Sequence, residues 1–143
     1  MTTATEATSR GRLARSEGNF PAAREGYAEA AAIYRDQNDV LAYAHTIRHI
    51  ADIYREESNL EAAKPLYEEA LEIYRSNLNT KLLDLANTVR PYALLLEKQG
   101  DLAPAAILWQ EAANLYASLR VEAGVTECNR HIAQLHTAGL QQS

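Results

Sequence analysis

Tiny and bulky apolar residues alternate along this chain at spacings of three and four, and one such run occurs three times. The middle copy opens with Ser58, Asn59 and Leu60, then carries Ala63, Tyr67 and Ala70 and closes on Ile73 and Tyr74. Shifted back by 40 residues it opens Gly18, Asn19, Phe20 and carries Ala23, Tyr27 and Ala30. Shifted forward by 42 it opens Gly100, Asp101, Leu102 and carries Ala105, Trp109 and Ala112. Steps of three and four keep these residues on one helical face. Small side chains let helix backbones approach closely, and the large ones fill the space beside them. The opening Gly or Ser tolerates the left-handed backbone that closes a helix, and the Asn or Asp after it can cap the next one.

Between the copies runs a second kind of segment with its own apolar stripe. It carries Ile47, Ile50, Ala51 and Tyr54 in one copy and Val89, Tyr92, Ala93 and Leu96 in another. The pattern predicts seven helices, over about 8–17, 20–36, 40–57, 60–75, 80–99, 102–119 and 121–138. They form three helix–turn–helix repeats, about 8–36, 40–76 and 80–119, followed by a capping helix. In the last helix, Arg130–His131–Ile132–Ala133 matches Arg48–His49–Ile50–Ala51 residue for residue, and Gly139 is expected to stop it. Residues 1–7 and 139–143 are expected to fray. Gly11 falls in the slot of Ala51, Ala93 and Ala133, which marks it as a close-packing residue. Pro21 and Pro104 lie in first turns, where they displace no helical hydrogen bond. Pro65 and Pro91 lie deeper and are expected to bend their helices, with a break near Arg90 as the alternative.

This alternation resembles the tetratricopeptide repeat, a helix–turn–helix unit with small and aromatic residues at helical spacing. The period of 40 to 42 and the run from Lys64 to Tyr74 look like the longer repeats of kinesin light chains and their bacterial relatives. The resemblance implies an all-α fold: a right-handed α-solenoid of three antiparallel repeats plus a C-terminal cap, seven helices in one domain over 1–143. It also implies a protein–protein interaction module, since such arrays mostly bind other chains along their inner wall.

Composition narrows the rest. A chain of 143 residues with 47% apolar and 23% charged residues is one ordinary globular domain by length. The net charge of −5 argues against general binding to nucleic acid or anionic membranes. No apolar run is long enough to span a bilayer, and the N-terminus has no secretory signal pattern. The single Cys128 leaves no internal disulfide, which suits a reducing, cytoplasmic setting.

Aligning the first helices of the repeats gives one slot holding Thr8, Arg48, Arg90 and Arg130. The next slot holds Ser9, His49, Pro91 and His131, and three before the arginines come Thr5, His45, Asn87 and Glu127. Arg12 and Asp52 lie four after it, and Arg15, Arg55 and Glu97 lie beyond. Guanidinium groups grip carboxylates in a planar, two-pronged way. The candidate peptide-binding residues of a concave groove are therefore Arg48, Arg90, Arg130, His45, His49 and Asn87, with Arg12 and Arg55 at the margins. The alternative is that these arginines pair with Asp52, Glu56, Glu97 and Glu127 and stay solvated. The two-carboxylate clamp by which some tetratricopeptide domains hold chaperone tails is absent. Thr8, Arg12, His49, Asn87 and Pro91 stand in its slots.

His45 and His49 share a face at zinc-like spacing, but no Glu lies between them in the metalloprotease pattern and no Cys joins them. They read as solvated or groove-lining residues. Cys128, in the slot of Thr46 and Thr88, reads as a packing residue, and the tyrosines read as core. No phosphate loop or catalytic carboxylate pair is evident, so neither an enzyme nor a cofactor is expected. The expected function is an adaptor or scaffold that binds an acidic or carboxylate-bearing segment of a protein partner. Self-association through Val121, Val125 and Leu135, or a regulatory subunit without a groove, is the alternative. The packing scheme itself is testable. Leucine at Ala63 or Ala70 overfills a helix contact and lowers stability by roughly 1–3 kcal/mol. Chemical denaturation of Ala63→Leu and Ala70→Leu measures this, and parental stability in both would count against the scheme.

Overall fold

The structure is a computed structural model that describes residues 1–142, with side chains through Gly139. The described residues form seven α-helices and no strand. They are α1 (Ala4–Ser16), α2 (Phe20–Asp36), α3 (Val40–Glu56), α4 (Leu60–Ser76), α5 (Leu82–Lys98), α6 (Leu102–Ser118) and α7 (Glu122–Gln142). Two compact units result: Met1–Leu78 holds α1 to α4, and the chain from Asn79 holds α5 to α7.

One turn design recurs five times. Gly18, Asn38, Ser58, Gly100 and Arg120 have positive φ, between 57° and 83°. At each, the following N–H reaches back to the carbonyl of the residue five positions earlier: Asn19 to Ala14, Asp39 to Tyr34, Asn59 to Tyr54, Asp101 to Leu96 and Val121 to Tyr116, all at 2.8–3.0 Å. That closure satisfies helix-end carbonyls and turns the chain within three residues. Asn19, Asp39 and Asn59 then cap the next helix by accepting from Ala22, Ala42 and Ala62 N–H, each at 3.2 Å. Asp101 makes no such side-chain bond. The connector after α4 is built otherwise: Asn77 is extended, and Lys81 precedes α5 without a side-chain cap.

The alternation of sizes becomes a core. Ala23, Ala30, Ala63, Ala70, Ala105 and Ala112 are all fully buried, and Tyr27, Tyr67 and Trp109 are at most 2% exposed. In unit 1, Ala23 and Tyr27 of α2 cluster with Ile50 and Ile53 of α3, with Phe20, Tyr54 and Leu66 packed against them. Truncating an aromatic in such a position costs about 3–5 kcal/mol, so these three side chains dominate the packing. α1 and α2 approach each other backbone to backbone. A Cβ on Gly26 would lie 2.7 Å from the backbone nitrogen of Gly11 and 2.9 Å from the carbonyl oxygen of Ala7. One on Gly11 would lie 3.0 Å from the Tyr27 ring.

Several helix ends differ from the sequence expectation. α1 starts at Ala4, inside the stretch 1–7 expected to fray, because the Thr3 hydroxyl caps Glu6 N–H at 3.1 Å and Ala4 and Ala7 are buried. α7 runs past Gly139 to Gln142 instead of stopping near 138. A glycine inside a helix costs only about 1 kcal/mol, too little to end one alone. α4 and α5 continue through Pro65 and Pro91, so the alternative of a break near Arg90 does not occur.

The α1–α2 crossing gives a direct test. Gly26→Ala should lower stability by roughly 1–3 kcal/mol, even though Ala favours a helix over Gly by about 1 kcal/mol. Urea unfolding measures it, and an unchanged or raised midpoint contradicts the close crossing.

Candidate functional site

In unit 1 the candidate side chains project from α1 and α3. The two helices are tied by an ion pair between Arg15 and Glu56. Arg48 bonds Asp52 one turn on, at 3.0 Å, and both are largely buried. Asp52 also accepts a short hydrogen bond from the Tyr67 hydroxyl of α4, and that hydroxyl accepts from Arg55 Nε at 3.3 Å. Burial, with the Asp52 carboxylate beside it, pushes the Tyr67 hydroxyl far above its ordinary pKa. A buried phenol needs a partner, and here the partner is a carboxylate.

His49 sits at the centre of this face. Its ring stacks on Tyr27 at 5.3 Å and meets His45 edge-on at 4.7 Å. Burial depresses its pKa to about 3, and the charges of Arg48, His45, Arg15 and Arg12 push the same way. His49 is therefore neutral at ordinary pH, inside a ring of cations. Its Nδ1 and the Arg48 Nε are buried without a hydrogen-bond partner. Arg12 and His45 are exposed.

Unit 2 carries the same slots with different electrostatics. Arg90 of α5 holds Glu127 of α7 through both carboxylate oxygens, and the guanidinium's hydrogen bonds draw the Glu127 pKa below its usual value. His131 bonds Glu97 at 3.0 Å and stacks on Trp109 at 4.1 Å. Asn87 accepts from the Tyr116 hydroxyl at 2.7 Å. Arg130 is exposed. Cys128 is buried, and burial raises its thiol pKa to about 11, so it carries no thiolate for chemistry.

The arginine series thus splits. Arg48 and Arg90 each pair with a carboxylate, as the solvated-pair alternative held, though the Arg48–Asp52 pair is largely buried. Arg12, His45, Arg48, His49 and Arg55 come together in unit 1, while Asn87, Arg90 and Arg130 belong to unit 2. Tyr27 and Tyr67 were read only as core, yet their ring and hydroxyl order the polar face. The signal available in the sequence was that a buried tyrosine hydroxyl must find an acceptor.

Helical hairpins closed by one recurring turn, with tiny and aromatic side chains at their crossings and charged pairs linking alternate helices, define a helical-hairpin repeat protein. The tetratricopeptide repeat family model matches residues 3–76 and 42–118, and the chain belongs to that family. Search of curated proteins finds no match to it. Repeats of this family generally mediate protein–protein interaction and scaffolding. Among the described residues, no helix is long and apolar enough to cross a membrane.

The His49 environment predicts an acid sensitivity. Its folded pKa lies below the unfolded value, so the unfolded chain takes up the proton first and acid favours unfolding. Between pH of about 6.5 and about 3, this side chain alone lowers stability by up to ~1.4 kcal/mol per pH unit. His49→Phe keeps a ring against Tyr27 and should remove that share of the slope. Equal pH slopes for parent and variant in urea unfolding would contradict a buried, neutral His49.

Proposed function

We propose that this chain is an adaptor whose α1–α3 face binds an acidic or carboxylate-ended segment of a protein partner. One observation carries the reading. Arg12, Arg15 and Arg48 gather around a neutral His49, Arg55 joins them through the Tyr67 hydroxyl, and among the described residues Asp52 and Glu56 are the carboxylates paired with them. The surplus is positive on a chain whose net charge is −5. The orphaned Arg48 Nε supports it further, because a buried donor without a partner costs about 1–3 kcal/mol and a ligand oxygen would satisfy it. Exposed Arg12 and His45 supply the first contacts, and Arg48 the buried one.

The corresponding face of unit 2 is the weaker candidate, since Glu127 and Glu97 offset Arg90 and His131. Self-association through Val121, Val125 and Leu135 is weaker too. Leu135 is buried, both valines are half-buried, and exposed polar residues surround them on α7. Nothing in the reading calls for catalysis or a cofactor.

Fluorescence anisotropy with a short labelled Asp/Glu-rich peptide tests the proposal. Arg12→Glu and, separately, Arg48→Gln should each weaken binding by roughly tenfold or more, and affinity should fall as salt rises. Arg130→Gln should change it little. Binding that ignores Arg12→Glu and Arg48→Gln, or no binding at low salt, would remove this face as the site.

A further inference from the structure

The outer stripe of α7 differs in kind from its counterparts. In α3 that stripe is Ala44, Ile47, Ala51 and Tyr54, and in α5 it is Ala86, Val89, Ala93 and Leu96, all buried except the half-buried Tyr54. α7 places Thr126, Asn129, Ala133 and His136 there, and all four are exposed. An ordinary next repeat would bury Asn129 without a designed partner, which is unfavourable.

Beside this polar stripe lies an apolar groove of about 490 Å³ between the start of α6 and the end of α7. Leu102, Ala106, Ile132, Leu135, His136 and Gly139 line it. The same register in unit 1 is Phe20, Arg24, Ile50, Ile53, Tyr54 and Glu57. Leu66 of α4 packs against the cluster that holds Ile50 and Ile53, with Phe20 and Tyr54 beside it. Arg24 lies over the Tyr54 ring at 4.9 Å and pairs with Glu57. Unit 2 keeps the apolar floor as Leu102, Ile132 and Leu135. It replaces Arg24, Tyr54 and Glu57 with the smaller Ala106, His136 and Gly139.

We propose that the α6–α7 groove receives the apolar face of an amphipathic helix from a partner protein, anchored by a leucine as Leu66 anchors α4 in unit 1. The internal copy of this contact identifies the occupant. In unit 1 the chain covers this floor with α4, which presents Leu66 beside the small residues Ala62 and Ala63. The groove is short and its neighbouring stripe is polar. Both favour a helix held by one or two apolar anchors over broad pairing of two α7 helices. The site is separate from the basic α1–α3 face and does not depend on what that face binds.

The probe is a fluorescein-labelled peptide with the sequence of α4, residues Ser58–Ser76, titrated with the full chain. Saturable binding is expected. It should weaken by roughly tenfold or more when Ala106→Arg puts a cation into the groove with Gly139 in place of the Glu57 that draws Arg24 aside in unit 1, when exposed Ala103 becomes Ala103→Glu, or when the peptide carries Leu66→Asp. Ala103→Glu is the deciding variant if Ala106→Arg does not fold. Because the peptide is rich in glutamate, the titrations are run in high salt, which screens uptake by the basic α1–α3 face while apolar docking is retained. Binding lost in Arg12→Glu but kept in Ala106→Arg and Ala103→Glu would overturn the proposal. So would no binding at all, or a concentration-dependent dimer of the chain that Ala106→Arg abolishes without any peptide uptake.

Discussion

Two helix backbones can come within touching distance only where the side chains between them are nearly absent, and this structure depends on that condition. Ala23, Ala63 and Ala105, and again Ala30, Ala70 and Ala112, have no exposed surface. Between α1 and α2 even alanine is too large, and Gly11 meets Gly26. Because the backbones are close, the aromatic side chain between two small ones has one direction in which to go. Tyr27, Tyr67 and Trp109 therefore plug the gap beside each crossing. The recurring turn supports the same geometry. Its closing hydrogen bond fixes where one helix ends, and at Asn19, Asp39 and Asn59 the side chain also caps the start of the next.

The polar faces inherit their order from that packing. Tyr27 is pinned by its crossing, so it offers a flat ring on which His49 stacks; Trp109 does the same for His131. Tyr67 is pinned too, and its hydroxyl reaches Asp52 and thereby holds Arg48 in place. The two units diverge at one kind of position. In unit 2, Glu127 and Glu97 answer the cationic slots, whereas in unit 1 the corresponding slots add Arg15, Arg55 and His45. Duplicated architecture thus carries two different surfaces, one nearly neutral and one positive.

How much of this could be read beforehand varies with the range of the interaction. The hairpins, the small and aromatic slots and the caps at Asn19 and Asn59 are local in sequence, and their repetition made them legible. Gly11 was legible by alignment, but its partner Gly26 was not, since Gly26 shares a slot with Leu66 and Leu108, which predicts bulk. The start of α1 was missed because a Thr3 cap and two buried alanines leave little apolar signature. For the candidate site, the arginine slots were visible and their partners were named. Whether Arg90 would meet Glu127, 37 positions away, depended on side-chain reach that no local pattern encodes. The groove at the end of α7 was invisible for a similar reason: it lies where Ala106, His136 and Gly139 are smaller than the residues in the same register of unit 1, not at any motif.

The central claim is that close helix packing leaves a surplus of positive charge on the α1–α3 face and a balanced face on α5–α7. Nuclear magnetic resonance shift mapping with a labelled chain and an acidic peptide reads this residue by residue. The account predicts that the largest shifts fall at Arg12, His45, Arg48, His49 and Arg55, with Asn87, Arg90 and Glu127 little changed. Shifts concentrated at Arg90, Glu127 and Arg130, with α1 and α3 silent, would contradict it.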